Sequence, residues 1–230
     1  RKGYTRVEFF NLQTRKKLKL SLKQEQADQV YVGAWSKDGN QVVLGIDSGT
    51  APKTSYSLDL RTNKLRQWVV ASVPEVDVQK FVRAQLITIP SDFGGIPAFV
   101  RIPPGCEKPV KPCPVVVHFH GGPEMQSRPA FIPQFQLFVA EGMIFLEPNV
   151  RGSEGYGRKY LDADNAEKRL DVIKDIQTVA DFAKTKWAPP GQKAKVGVMG
   201  WSYGGYSALY AMTKFAGSYD AGVSLVGMSH

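Results

Sequence analysis

The spacing of apolar and polar residues changes character near residue 80. Before that point the runs are short. Val30-Tyr31-Val32-Gly33-Ala34-Trp35 and Gln41-Val42-Val43-Leu44-Gly45-Ile46 are rich in β-branched and aromatic residues, and Ser36-Lys37-Asp38-Gly39-Asn40 separates them. Asp-Gly between two such runs signals a hairpin, because Gly accepts the positive φ of a tight turn. Two more strands are predicted at Thr54–Leu60 and Lys64–Val69, joined at Arg61-Thr62-Asn63. Four antiparallel strands in about forty residues match one blade of a β-propeller. Residues 4–10 and 16–22 are predicted as strands of a preceding blade. Residues 1–75 therefore read as a β-propeller portion of about one and a half blades, with the remainder expected upstream of Arg1.

Val70–Lys80, with Pro74, reads as a linker. Beyond it, residues 76–230 alternate strand and helix. Strands are predicted at 82–89 and 96–102 around a turn at 90–95. Residues 114–119 form a continuous apolar run, the pattern of a parallel strand buried on both faces. A helix over 131–141 and a strand over 143–146 follow. A long helix over 165–187 places Leu170, Ile173, Ile176, Val179, Ala180, Ala183 and Trp187 on one face. Lys168, Asp171, Lys174, Asp175, Asp181 and Lys184 fall off that stripe, and Pro189-Pro190-Gly191 stops the helix. A strand over 195–200, a helix over 203–215 and a strand over 221–227 complete the order. This alternation implies an α/β fold with a mostly parallel sheet and right-handed crossovers.

Composition adds limits. The 230 residues are 43% hydrophobic and 22% charged, which suits a chain with a real core. No apolar run is long enough to span a bilayer, so no membrane partner is expected. No apolar segment of a signal peptide follows Arg1-Lys2-Gly3-Tyr4, and the chain lacks a starting Met, so it reads as a piece of something longer. The net charge of +9 brings nucleic acid into view. Its densest run, Arg15-Lys16-Lys17-Leu18-Lys19-Leu20 with Lys23 beyond, alternates with leucines as a strand with one solvated face would. No zinc-finger, RRM or helix-turn-helix signature accompanies it, and no nucleic-acid partner is expected. Cys106 and Cys113 flank a Pro-rich stretch. Their spacing suits a disulfide in an oxidising compartment or two free thiols. Neither has metal-ligand spacing, and no metal or other cofactor is expected.

Three segments carry chemistry. Gly200-Trp201-Ser202-Tyr203-Gly204 fits G-x-S-x-G, directly after an apolar strand and directly before a helix. That context is the strand–turn–helix elbow of a serine nucleophile. The helix N-terminus then faces the site, and the Tyr203 N–H is placed as an oxyanion donor. His120-Gly121-Gly122-Pro123 follows the strand at 114–119. A His-Gly-Gly loop after the third strand supplies the second oxyanion donor in this kind of fold, here the Gly122 N–H, while His120 and Gly121 shape the loop. Asn149-Val150-Arg151-Gly152-Ser153-Glu154-Gly155-Tyr156-Gly157 is neither a P-loop nor G-x-G-x-x-G. It reads as a tight loop beside the site, in which Arg151 orients a substrate group or ties the loop down.

These three motifs together resemble the prolyl oligopeptidase family of serine peptidases, and the likeness covers essentially the whole chain. The family's architecture puts a propeller ahead of a hydrolase domain, so the resemblance implies an α/β-hydrolase, here partial, preceded by antiparallel propeller blades. Trp201-Ser202-Tyr203 and the His-Gly-Gly-Pro form look like the acylaminoacyl-peptidase and dipeptidyl-peptidase branches. The resemblance implies Ser202 as nucleophile, Tyr203 and Gly122 as oxyanion donors, and short peptides as substrates. It also leaves room for a homo-oligomeric parent enzyme. The family's catalytic Asp and His lie well downstream of the nucleophile, whereas this sequence stops at His230. The expectation is that residues 1–230 alone are inactive for want of both. Two alternatives stand beside this reading. One is an esterase or lipase, separable by ester against amide turnover. The other is a non-catalytic interaction protein on a hydrolase scaffold.

Overall fold

The computed structural model describes residues 3–20, 27–71 and 77–229. It falls into two compact units. The first comprises Gly3–Arg83 together with Pro129–Ile132, and the second comprises Ala84–Arg128 together with the residues from Pro133 onward.

The first unit holds a four-stranded antiparallel meander: β1 (Gln29–Trp35), β2 (Gln41–Asp47), β3 (Thr54–Asp59) and β4 (Lys64–Gln67), in that spatial order. Period-2 alternation builds its core. Val42 and Leu44 of β2 are buried with Leu58 of β3, Val30 and Phe9, whereas Val43 between them is exposed. The β1–β2 turn closes as the Asp-Gly signal requires. Gly39 has φ 69°, and the Asp38 carboxylate accepts from the Asn40 N–H at 3.1 Å.

Segments 4–10 and 16–20 meet at one antiparallel bridge, Phe10 with Lys17, instead of forming the two predicted strands. A two-stranded ribbon is marginal without a third strand beside it, and among the described residues none adjoins this one. Leu22 and Lys23 of the basic run, and the Pro74 part of the linker, lie outside the described residues. Arg83 closes the unit with a forked ion pair to the buried Asp28 at 2.7–3.1 Å. Both Asp47 carboxylate oxygens accept from the Phe131 N–H at 3.2 Å.

The second unit is a six-stranded sheet. Its strands are β5 (Gln85–Ile89), β6 (Ile96–Arg101), β7 (Val115–Phe119), β8 (Ile144–Pro148), β9 (Val196–Trp201) and β10 (Ala221–Leu225). The spatial order is β10-β9-β7-β8-β6-β5. β8, β7, β9 and β10 run parallel, whereas β6 pairs antiparallel with both β8 and β5. The helices are α1 (Pro133–Ala140), α2 (Arg158–Leu161), α3 (Arg169–Lys186) and α4 (Tyr203–Thr213).

Strand alternation sends side chains to two cores. Val115, Val117, Phe119, Ile144, Leu146, Val196 and Val198 join Ile176, Val179 and Ala183 of α3 and Ala208 and Ala211 of α4. Phe145 points the other way and stacks on Phe135 and Phe138 of α1, with centroids 4.2 and 5.5 Å apart. Cys106 and Cys113 are joined by a disulfide and buried in the first of these cores.

Helix α3 starts at Arg169, later than the predicted Asn165, because two 3-10 turns occupy 162–164 and 166–168 and Ala166 takes φ 52°. The shift exposes Leu170, which the predicted stripe buried, and Val172 is buried instead. Asp175, predicted to be solvated, is buried because it has a charged partner, described below. Strand β10 ends at Leu225, short of the predicted Gly227, where Val226 takes φ 45°.

His118 in β7 faces the α1 core, 5.0 Å from the Phe135 ring, and its buried Nδ1 has no hydrogen-bond partner among the described residues. Burial, with His120 nearby, lowers its pKa from 6.5 to about 4. The unfolded chain therefore takes up this proton first, and stability is lost as pH falls from 6.5 towards 4. The expected loss across that window is about 2–3 kcal/mol. Denaturant titrations at neutral and acidic pH check it: His118→Gln should flatten the acid limb by that amount, and an unchanged limb would refute the assignment.

Candidate active site

Ser202 sits between β9 and α4 with φ 57° and ψ −115°. Side chains rarely adopt this region, and holding one there costs on the order of 1–3 kcal/mol. Surrounding bonds hold it. The Ser202 N–H donates to the Leu225 carbonyl at 3.0 Å, and the Ser202 carbonyl accepts from the Tyr206 N–H at 3.0 Å. Two glycines let the turn close. A methyl group at Gly200 would collide with the Gly204 carbonyl oxygen, and one at Gly204 with the Phe119 carbonyl oxygen. The Ser202 hydroxyl is half-buried and makes no hydrogen bond among the described residues.

Parallel pairing brings the second motif alongside. Phe119 of β7 lies opposite Gly200 of β9, so the residues that follow each strand emerge together. Gly121 is the contact point: a Cβ there would lie 3.2 Å from the Trp201 carbonyl and 3.6 Å from Ser202 Cβ. The Tyr203 N–H is the first amide of α4, and the Gly122 N–H lies in an exposed turn at φ 125°. Neither donates to an acceptor among the described residues. The Gly122–Pro123 peptide is cis.

His120 is turned away from Ser202. Its Nδ1 contacts the Gly121 carbonyl at 2.7 Å and its Nε2 the Ser153 hydroxyl at 2.8 Å. The Ser153 Oγ also lies 2.7 Å from the Val150 carbonyl oxygen. Burial lowers the His120 pKa, so the ring is neutral near pH 7 and links the loop after β7 to the loop after β8.

Arg151 faces α3. Its Nε and Nη2 fork onto Asp175 at 2.6–3.1 Å, its N–H donates to Asp175 Oδ2 at 3.1 Å, and Nη2 also reaches the Asp171 carbonyl at 2.7 Å. Both residues are buried. Between the two readings of Arg151, these contacts are those of a loop anchor. Arg151→Met leaves the Asp175 carboxylate buried without its cation, which costs about 3–5 kcal/mol. Urea denaturation measures this. Adding Asp175→Asn to the same chain should recover much of the loss, and a single variant as stable as wild type would show that the pair carries no such weight.

Sequence reasoning passed over Asp164, Glu124 and Glu154. With Gly122, Met125 and Arg169 they line a cleft of about 500 Å³. Asp164 is 1% exposed, its side chain is hydrogen-bonded by Tyr203, and its Oδ2 has no partner among the described residues. Tyr203, whose amide is an expected donor, turns its ring under the Arg169 guanidinium at 5.7 Å. Burial, and next the Asp164 charge, push the Tyr203 hydroxyl up to about 12. Asp164 stands one residue before the predicted helix start, and only the 3-10 turn carries it to the cleft wall. The one signal in the sequence was Gly152, where a side chain would meet the Asp164 carboxyl carbon at 2.6 Å.

Residues 129–230 match the prolyl oligopeptidase family of peptidases. Dipeptidyl peptidase family member 6 of Caenorhabditis elegans is 34% identical over 122 residues, 53% of this chain and 16% of that protein. Dipeptidyl aminopeptidase BIII of Pseudoxanthomonas mexicana is 25% identical over 207 residues, 87% of this chain and 30% of that protein. Among solved structures, a Mycobacterium tuberculosis puromycin-hydrolyzing peptidase superposes with TM-score 0.75 at 24% identity, over 99% of this chain and 35% of that one. Pyrococcus horikoshii acylaminoacyl peptidase superposes with TM-score 0.67 at 22% identity, over 88% and 31%. The fold is thus that of an α/β-hydrolase, here partial, following propeller blades. The chain spans about a third or less of the length of these proteins.

Proposed function

We propose that this chain, whose residues 129–230 match the prolyl oligopeptidase family, carries the nucleophile and oxyanion donors of a serine peptidase acting on short peptides. Ser202 Oγ attacks the scissile carbonyl, and its proton passes to a general base. The carbonyl oxygen gains the negative charge and is held by the Tyr203 and Gly122 N–H groups. Collapse of the tetrahedral adduct expels the amine, which takes the proton from the base. Water then adds to the acyl-serine and releases the acid.

The observation that carries this reading is the backbone of Ser202. Ser202 bears φ 57° between strand and helix, beside two amides that donate to no acceptor among the described residues. Gly121 and His120 set the loop, and Arg151 anchors its neighbour. His118 is half-buried beside Phe135 and Phe145 and both nitrogens of His120 are engaged, so neither is assigned as the base. These residues alone are expected to turn substrate over weakly.

A fluorophosphonate, which phosphonylates activated serines, tests the proposal on the full-length protein. One adduct by intact mass, mapped to the peptide containing Ser202, supports it. An adduct confined to another serine sinks it, and so does no adduct under conditions that label a known serine hydrolase.

A further inference from the structure

We propose that Ser153 is a positioning residue for the oxyanion site, acting through His120 on the peptide that joins Gly121 to Gly122. The proposal deepens the peptidase reading and rests on it for the role of the Gly122 N–H. That amide and the Gly121 carbonyl are the two ends of one planar trans peptide, so they point in opposite directions. His120 Nδ1 lies 2.7 Å from the Gly121 carbonyl oxygen, and among the described residues no other donor reaches that oxygen. A bond there fixes the carbonyl end and thereby aims the N–H end. Glycine on both sides lets this peptide turn about its flanking bonds without meeting a side chain of its own, so its direction depends on what the carbonyl binds.

Three contacts run in series from Gly121 to Val150: the Gly121 carbonyl to Nδ1 at 2.7 Å, Nε2 to the Ser153 hydroxyl at 2.8 Å, and that hydroxyl to the Val150 carbonyl at 2.7 Å. Both ends are carbonyl oxygens, which only accept. The neutral ring and the hydroxyl bring two protons to these three contacts. With the ring proton on Nε2, the Nδ1 lone pair would face the Gly121 oxygen, acceptor against acceptor. With it on Nδ1, the ring donates to Gly121, and Nε2 becomes an acceptor for the Ser153 hydroxyl. The Val150 carbonyl is the end that goes without, and it already accepts from the Ser153 N–H at 3.1 Å. Ser153 is fully buried, so its hydroxyl is spent on the ring rather than on solvent. Its proton selects the form of His120 that holds the Gly121 carbonyl.

Ser153 touches no reacting atom in the proposed reaction. It lies in the loop after β8, which Arg151 ties to α3 through Asp175, and it hands that loop's fixed position to the loop after β7. A peptide whose carbonyl accepts a hydrogen bond is also a stronger donor at its N–H. The charge that the Gly122 N–H meets develops in the transition state, so losing this alignment slows the chemical step and leaves substrate binding nearly as it was.

Two substitutions at His120 separate this role from that of a plain link between loops. Asparagine places an amide N–H where Nδ1 stands, and glutamine places one where Nε2 stands. On the full-length protein with a chromogenic dipeptide, His120→Gln should lower kcat about 100-fold, the scale of one lost oxyanion donor, with KM within about 3-fold. His120→Asn should keep kcat within about 10-fold of wild type, and Ser153→Ala should lower it by about 10-fold. A plain link predicts the reverse order, with glutamine the milder change. That order, or losses confined to KM, overturns the proposal. Nitrogen NMR on the full-length protein carrying isotope-labelled histidine gives a readout free of turnover, with the His120 signal identified by its shift in Ser153→Ala. A ring protonated on Nδ1 supports the proposal, and one protonated on Nε2 overturns it whatever the kinetics. If Ser202 resists the fluorophosphonate, the peptidase reading falls, and the place of the ring proton still decides whether Ser153 sets the Gly121–Gly122 peptide.

Discussion

Ser202→Ala is expected to abolish fluorophosphonate labelling of the full-length protein and to lower peptide turnover by about 10⁴-fold or more. The substitution removes one oxygen. Tyr203 and Gly122 keep their amides, and the residual rate is what an oxyanion site and substrate binding provide without a nucleophile. The size of the effect depends on the residue's role, because an incidental serine in a turn would cost less than 10-fold. Stability should change little or rise slightly: Ser202 Oγ makes no hydrogen bond among the described residues, and alanine tolerates φ 57° no better than serine. Steady-state kinetics on a chromogenic dipeptide, beside a thermal melt, reads both. Turnover within 10-fold of wild type would end the assignment of Ser202 as nucleophile.

Gly204→Ala is expected to destabilise the second unit by at least about 3 kcal/mol and to abolish labelling with it. The new methyl would strike the Phe119 carbonyl oxygen and lie 2.7 Å from the Phe119 carbonyl carbon and 2.9 Å from the His120 oxygen. All three are backbone atoms in or next to a paired strand, so the clash has no flexible side chain to absorb it. Helix α4 would have to lift off β7, which carries the Tyr203 amide away from the loop at Gly121. Gly197→Ala is the matched control in the same strand–helix unit. Its methyl would meet nothing nearer than 4.0 Å, and its stability should stay within about 1 kcal/mol. Equal denaturation midpoints for the two variants would refute the packing argument.

How far these features were legible depends on the range of the forces that set them. The meander β1–β4 and the elbow are local. Asp38-Gly39 makes its own turn, and Gly200 and Gly204 flank Ser202 within five residues, so a short window carries them. Order within the sheet was partly legible, since buried apolar runs imply parallel strands. The antiparallel placing of β6 between β8 and β5 was not, because it depends on pairing between Phe99 and Glu147, far apart in the chain. The start of α3 was misread because apolar spacing continues through Leu170, whereas Ala166 at φ 52° ends the helix from outside that pattern. Asp175 looked solvated for a similar reason: an acidic residue on a helix is solvated until a distant Arg151 folds onto it. Asp164 and its neighbours were invisible for want of any local pattern. Three carboxylates from three loops become one wall only after the sheet exists.

The make-up of the first unit has a consequence for how such proteins exchange parts. Its residues come from two stretches of chain, Gly3–Arg83 and the four-residue segment Pro129–Ile132. A recombination event that cut once, between Arg83 and Ala84, would transfer the four strands and leave the short segment in the recipient's own version. The transferred Asp47 would then depend on a foreign residue for the amide that Phe131 now donates to both of its oxygens. Inheritance of this module is therefore discontinuous. A lineage that swaps it must bring the short segment along or already carry one whose backbone follows the same path.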